Sequence, residues 1–239
     1  MFTAKKSTTL MCFSPPVMLA TMIFEVGAAL YLFIRQKPSS RKALTIVLLL
    51  ALAAFQLAEY MLCGGYGFDS VTWSKVGYVS ITILPAAGLH VLHVVAGVRP
   101  RKLVQLAYTL MTGFIVSFLT VPGIFESHRC TGNYVIFEMN AQAISLYTGY
   151  YYSLLLTGVV MGTYWAAKIS QKSLKGRLRR KQLGYHVIGY LSFMLPVIAV
   201  QSVNPQILQG IPSVMCGFAV FLAIMLIYAF SRDKSLYKE

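Results

Sequence analysis

The sequence predicts an all-α integral membrane protein in which residues 1–239 form one domain, a bundle of seven transmembrane helices. Of the 239 residues, 57% are hydrophobic and 12% are charged, whereas soluble domains carry about 25% charged residues. The mean hydropathy is +0.65. Several separate stretches also reach the length of about 20 mostly apolar residues that a helix needs to cross a bilayer.

These observations place the spans at residues 15–34, 44–63, 74–97, 103–121, 142–167, 184–202 and 210–230. The first span follows Lys5 and Lys6 as a signal peptide would, but it is too long and contains Glu25, so we expect it in the mature protein. Pro85 and Pro196 lie within spans three and six and predict kinks there. The longest outer connection, residues 122–141, is expected to cap the bundle.

Basic residues predict the orientation of the bundle. Most of the 21 lysines and arginines follow spans one, three, five and seven, and only Lys5, Lys6, Lys75 and Arg129 fall on the other side. Positively charged loops stay in the cytoplasm, so the N-terminus is expected outside and the C-terminus inside. In a bacterium this would be the inner membrane. The net charge of +14 then indicates anionic lipid headgroups as partners of the inner loops, and no nucleic acid.

Polar side chains near the outer ends of three spans predict a ligand pocket in the outer leaflet. In span two, Gln56 and Glu59 share a helix face. Placing an acidic side chain such as Glu59 inside a membrane costs free energy. The expected pocket residues are Gln56, Glu59, Gln142, Ser145, Gln209 and Ser213. Intramembrane polar groups normally face the bundle interior, so Glu59 is expected at the centre of the pocket, either as a neutral carboxyl or as a proton-relay or ligand-binding group.

The four cysteines, Cys12, Cys63, Cys130 and Cys216, are all expected at the outer side. Thiols beside a carboxylate suit zinc or copper. The outer compartment is oxidising, so disulfides, and also buried free thiols or a redox-active thiol, remain alternatives.

A second group of polar residues is predicted deeper in the membrane. It consists of Glu25, His90, His93 and His186. Such a set could bind a metal or pass protons. His93 and His186, however, are close enough to the membrane interface to be solvated. The sequence leaves the cofactor unknown: span seven contains no lysine to which retinal could be attached, and a metal stays open as an alternative.

Three short motifs resemble an uncharacterised bacterial family of seven-helix membrane proteins. They are Met11-Cys12-Phe13-Ser14, Gln56-Leu57-Ala58-Glu59 and Ser213-Val214-Met215-Cys216. The resemblance implies that Cys12, Glu59 and Cys216 are companions, with Cys63 outside the group. It also implies that translation could start at Met11 instead of Met1, and it brings no activity, substrate or cofactor.

The leading functional prediction is a small-solute or metal-ion transporter or binding protein with its site around Glu59. The alternative is a membrane enzyme, thiol-redox or metal-dependent, that uses Cys12, Cys216 and Glu59. A third interpretation is a membrane sensor that signals through its basic inner loops.

Overall fold

The computed structural model describes residues 15–64, 69–99, 102–130, 135–203 and 210–231, which form seven helices and one two-stranded sheet. The helices are α1 (Pro15–Arg35), α2 (Ser40–Gly64), α3 (Ser70–Ala96), α4 (Lys102–Thr120), α5 (Ala141–Lys168), α6 (Leu174–Val203) and α7 (Ile211–Ser231). The strands are β1 (Phe125–Cys130) and β2 (Val135–Met139). Six helices, all except α5, are long and apolar enough to cross a membrane.

Helix α6 extends well beyond the span predicted at residues 184–202. It already begins at Leu174, within the basic stretch that follows α5. The hydroxyl of Ser173 accepts a hydrogen bond from the N–H of Gly176 and so caps the new start. Hydropathy locates the segment inside the bilayer, whereas the backbone hydrogen bonds of a helix continue past the interface into a basic segment.

Helix α3 lies at the centre of the bundle. It packs against α2, α4, α5 and α6, while α7 closes the bundle against α6, α1 and α2. Helices α1 and α4 are the least buried of the candidate spans. Large apolar side chains such as Ile23, Phe33 and Leu106 are more than half exposed on them. A surface of this kind is suited to lipid tails, because soluble proteins do not expose apolar patches of this size to water.

Side chains satisfy the backbone at several helix ends. The ammonium group of Lys42 donates to the carbonyl oxygens of Phe33 and Gln36, each at 2.7 Å, and so caps the C-terminal turn of α1. Asp69 caps the start of α3 by accepting from the backbone N–H of Thr72 at 2.6 Å. That hydrogen bond holds the pKa of the Asp69 carboxyl below its usual range.

Tyrosines of α5 supply hydrogen bonds to α3 just before Pro85. Proline removes a donor and disturbs the helical bonds of the preceding turn. The hydroxyl of Tyr150 donates to the carbonyl oxygen of Thr82 at 2.7 Å, and the hydroxyl of Thr82 donates to the hydroxyl oxygen of Tyr147 at 3.2 Å. Tyr147 and Tyr150 therefore join α5 to α3.

The connection expected to cap the bundle is a β-hairpin that packs into it. Val135, Phe137 and Met139 alternate inward and are buried, while Ile136 and Glu138 are partly exposed. Phe137 lies against Tyr78 of α3, with ring centroids 5.4 Å apart. These strands were not predicted from the sequence. The period-two alternation from Val135 to Met139 and the Gly132-Asn133 turn signal were the features that could have revealed them.

Candidate functional site

Glu59 lies at a point where α2, α7 and the hairpin meet. It is 1% exposed, and Gln56 on α2 and Ser213 on α7 are equally buried. The hydroxyl of Ser213 is hydrogen-bonded to the Glu59 carboxyl, and the same oxygen accepts from the backbone N–H of Val135 at 3.1 Å. One serine therefore connects the carboxyl group to the strand that covers it.

A second carboxyl group, Glu25 of α1, lies within electrostatic range of Glu59. Because side chains lean toward the N-terminus of their helix and α1 and α2 run in opposite directions, the two carboxyl groups lean toward each other. Glu25 is 0% exposed. Among the residues that the structure describes, both of its oxygens and Oε1 of Glu59 lack hydrogen-bond partners. The structure thus places Glu25 within electrostatic range of Glu59, whereas from the sequence it was grouped with the histidines.

The hairpin is covalently tied to α2 above this pair. Cys63, one turn after Glu59, forms a disulfide with Cys130 at the end of β1. A disulfide was one of the alternatives that the four cysteines left open. It forms because the hairpin brings Cys130 back over the end of α2 with a Cα–Cα distance of 5.8 Å.

The predicted wall of the pocket on α5 is not formed. Gln142 and Ser145 are both exposed, while Ile144, Tyr147 and Tyr151 turn inward. The aromatic side of α5 buries more apolar surface than the polar side would, and this decides the rotation of the helix. Gln209 and Cys12 lie outside the described residues, as does the side chain of Cys216. The pairing of Cys12 with Cys216, and the enzyme that would use them with Glu59, stay predictions.

The three histidines contact different neighbours. His90 Nδ1 lies 3.1 Å from the hydroxyl of Tyr108 on α4. The ring of His93 lies 4.7 Å from the ring of Trp165 on α5, and its Nδ1 bonds to Leu89 O. His186 Nδ1 lies 2.7 Å from the carbonyl oxygen of Gln182 in its own helix. The structure therefore does not assemble Glu25 and these histidines into one group.

In the described parts of the chain, no three His, Cys, Asp or Glu side chains come together as a metal-binding set. On the hairpin, Glu138 forms a salt bridge with Arg129 at 3.1 Å and a hydrogen bond with Ser127. Cys130 is held in the disulfide. The pair formed by Glu25 and Glu59 is thus the strongest candidate site, with Gln56 and Ser213 as its polar neighbours.

Six apolar spans and a polar pair buried between them define a helical, multi-pass membrane protein. The chain matches no protein-family model and no curated protein sequence. The resemblance to the bacterial family with Met-Cys-Phe-Ser therefore stays a prediction, and the function has to be argued from the site.

Proposed function

We propose that the protein is a transporter or binding protein for a small solute, and that the Glu25–Glu59 pair takes up a proton as the solute binds. The observation that supports this proposal is the burial of both carboxyl groups, with three of their four oxygens lacking hydrogen-bond partners in the described part of the chain. Burial of an unpaired carboxylate in an apolar interior costs free energy on the order of several kcal/mol. A bound proton or a bound cation therefore has to neutralise the charge of each carboxylate.

The ligand set favours a proton over a metal ion. A bound zinc ion usually takes three or four protein ligands, and the described residues around the pair offer two carboxyl groups, the Gln56 amide and the Ser213 hydroxyl. A proton needs only one carboxyl oxygen. Intramembrane carboxyl groups of this kind commonly form proton relays or substrate sites in transporters.

The hairpin supports a closed outer side in this conformation. Val135 and Phe137 are fully buried above the pair, and the disulfide fixes the hairpin to α2. Outward access would therefore open where α7 meets the hairpin, by separating Ser213 from Val135 and Glu59. Movement of one group of helices against another around a fixed site is the usual form of alternating access.

The experiment uses infrared difference spectroscopy and proton flux on the same reconstituted protein. Stepwise pH changes are expected to reveal a protonated-carboxyl band that is weakened in Glu59→Gln and in Glu25→Gln and absent in the double variant. Proteoliposomes loaded with a pH-sensitive dye should dissipate an imposed pH gradient at least tenfold more slowly in Glu59→Gln than in wild type.

Glu126→Gln is the matched control, because Glu126 is an exposed carboxyl on the hairpin. It should leave the band and the flux unchanged. A wild-type spectrum without a titrating buried carboxyl would refute the role of the pair as a proton site. A normal band combined with a flux that Glu59→Gln does not alter would limit the protein to binding.

A further inference from the structure

The disulfide between α2 and the hairpin is accessible to solvent. Cys130 is exposed at the end of β1, and Cys63 is partly exposed near the end of α2. The bond joins two positions that lie 67 residues apart along the chain. Exposed disulfides belong to the labile and regulatory class, because a thiolate has to reach a sulfur atom in order to exchange with it. The position of this disulfide therefore allows its reduction by a thiol in water.

The disulfide closes a ring of contacts around Glu59. Cys130 is the cross-strand partner of Val135 in the hairpin. The backbone N–H of Val135 donates to Ser213 Oγ at 3.1 Å, and the Ser213 hydroxyl is hydrogen-bonded to the Glu59 carboxyl. Cys63 follows Glu59 by one turn of α2 and completes the ring. The contacts that join the hairpin to α7 and α7 to Glu59 are non-covalent, so the disulfide is the link that decides how long the ring stays closed.

The two ends of the hairpin are held in different ways. Near its base, Phe125 lies against Tyr78 of α3 and Phe118 of α4, with ring centroids 5.2 and 5.5 Å away. At its tip, the side chain of Val135 is buried and its N–H is bonded to Ser213. Both contacts at the tip are reversible. Cleavage of the disulfide would therefore leave the base anchored on α3 and α4 and let the tip separate from α2 and α7.

We propose that Cys63–Cys130 is a site of thiol–disulfide exchange, and that its reduction opens the Glu25–Glu59 site to water at the hairpin end of the bundle. The inference rests on the proposed function in that it describes the regulation of the same site. The reaction partner is a thiol in the compartment that the hairpin faces. In an oxidising compartment the disulfide persists, so the closed form is the resting form.

The exchange is a two-electron reduction that consumes two thiols. A thiolate attacks Sγ of Cys130, the more exposed of the two cysteines. The S–S bond breaks, and its electron pair leaves on Sγ of Cys63, which takes up a proton from water. A second thiolate attacks the sulfur of the first in the mixed disulfide, forms an oxidised thiol pair with it and releases Cys130, which is also protonated. The two cysteines gain the two electrons that the two thiols lose.

The test measures how fast a water-borne reagent reaches Glu59 with and without the disulfide. Protein in nanodiscs is treated with reduced glutathione or with reduced thioredoxin, and the released thiols are capped with methyl methanethiosulfonate. Carboxyl groups are then labelled with a water-soluble carbodiimide, and mass spectrometry gives the rate at Glu59. Reduction should make this labelling about tenfold faster, the change expected when one hydrogen bond of ordinary strength no longer keeps the tip closed. Reaction with glutathione identifies a small thiol as sufficient, and reaction with thioredoxin alone identifies a dithiol protein as the partner.

Glu126 is the internal control, because it is exposed on the hairpin and should be labelled at the same rate in both forms. Oxidised glutathione should restore the slow rate at Glu59 in uncapped protein. The double variant Cys63→Ala and Cys130→Ala should show the fast rate without any reductant. The comparison of oxidised and reduced wild type decides the question even if this variant fails to fold.

The other two cysteines need a control of their own. A double variant with Cys12→Ala and Cys216→Ala should respond to reduction as wild type does, and loss of the response would overturn the inference. Resistance of the disulfide to both thiols would also overturn it.

Proton flux in proteoliposomes separates this inference from the proposed function. Equal labelling of Glu59 in the oxidised and reduced forms, together with a flux that depends on Glu59, would refute the redox control alone. Faster labelling after reduction, together with a flux that Glu59→Gln does not alter, would refute proton transport and support the exchange site.

Discussion

At the scale of single residues, Ser213 explains how a buried acid is connected to its surroundings. Its hydroxyl group is bonded to Glu59 and accepts from the N–H of Val135. The sequence identified Ser213 as part of a polar stripe on span seven. It could not identify either partner, because both lie more than seventy positions away along the chain. Val135, for example, is 78 positions from Ser213.

Ser213→Ala is expected to lower the free energy of unfolding by about 1–3 kcal/mol, because the N–H of Val135 and one carboxyl oxygen would both remain buried without a partner. Denaturation in mixed detergent micelles measures this change. Ser202→Ala is the control, since Ser202 is exposed and its hydroxyl donates to the carbonyl oxygen of Ile198 in its own helix. In the Glu59→Gln background the loss should differ from that in wild type, and full additivity would contradict the coupling of the two side chains.

At the scale of elements, α5 is the helix whose role hydropathy describes least well. It is absent from the six apolar spans, yet it runs alongside α3 from end to end. Near one end the rings of Tyr147 and Tyr78 lie 5.3 Å apart, and near the other the rings of Trp165 and His93 lie 4.7 Å apart. Its 28 residues extend about 42 Å as a helix, which exceeds the hydrocarbon thickness. Helix α5 is therefore long enough to cross the bilayer and runs beside a candidate span, and its crossing stays a prediction.

Close approach of α6 to its neighbours depends on small residues. Gly88→Ala is expected to destabilise the protein by roughly 1–3 kcal/mol, because the new Cβ atom would collide with the hydroxyl of Tyr190. Gly113→Ala on α4 meets no atom within 4 Å and should be neutral or stabilising by up to about 1 kcal/mol, the gain in helix propensity. Thermal unfolding of the two variants in the same detergent makes the comparison, and equal effects would contradict the predicted contact.

At the scale of the whole molecule, the two ends of the bundle differ in chemistry. One end carries the disulfide between α2 and the hairpin. The other carries basic side chains, including Lys42 on the end of α1 and Arg179, whose guanidinium occupies the space beside Gly97 at the end of α3. Disulfides persist in oxidising compartments and basic loops in the cytoplasm. Both features therefore support the proposed orientation, with the N-terminus outside and the basic end inside.

This orientation can be tested together with the crossing of α5. Alkaline phosphatase fused after Thr120 should be active and thus extracytoplasmic, while green fluorescent protein fused after Lys172 should fluoresce in the cytoplasm. The physical reason is that the hairpin and the basic turn lie at opposite ends of α5. Reporters that both indicate the same side would show that α5 does not cross, and the orientation of the C-terminus would then have to be revised.

The sequence by itself determined that the chain is a helical membrane protein and, to within a few residues, where most of its helices lie. The hydropathy and the length of a segment are sums over neighbouring residues, so they can be calculated without knowledge of the fold. It also singled out Glu59, Gln56 and Ser213, because polar side chains in an apolar run are conspicuous.

The tertiary structure alone decided which side chains lie next to one another. It placed Glu25 within electrostatic range of Glu59, joined Cys63 to Cys130, turned Gln142 and Ser145 outward and bonded Nδ1 of His186 to its own helix. Each of these outcomes depends on how a helix is rotated and which helix lies next to it. Rotation is set by burial of whole helix faces against non-adjacent neighbours, and this information is spread over residues far apart in the chain.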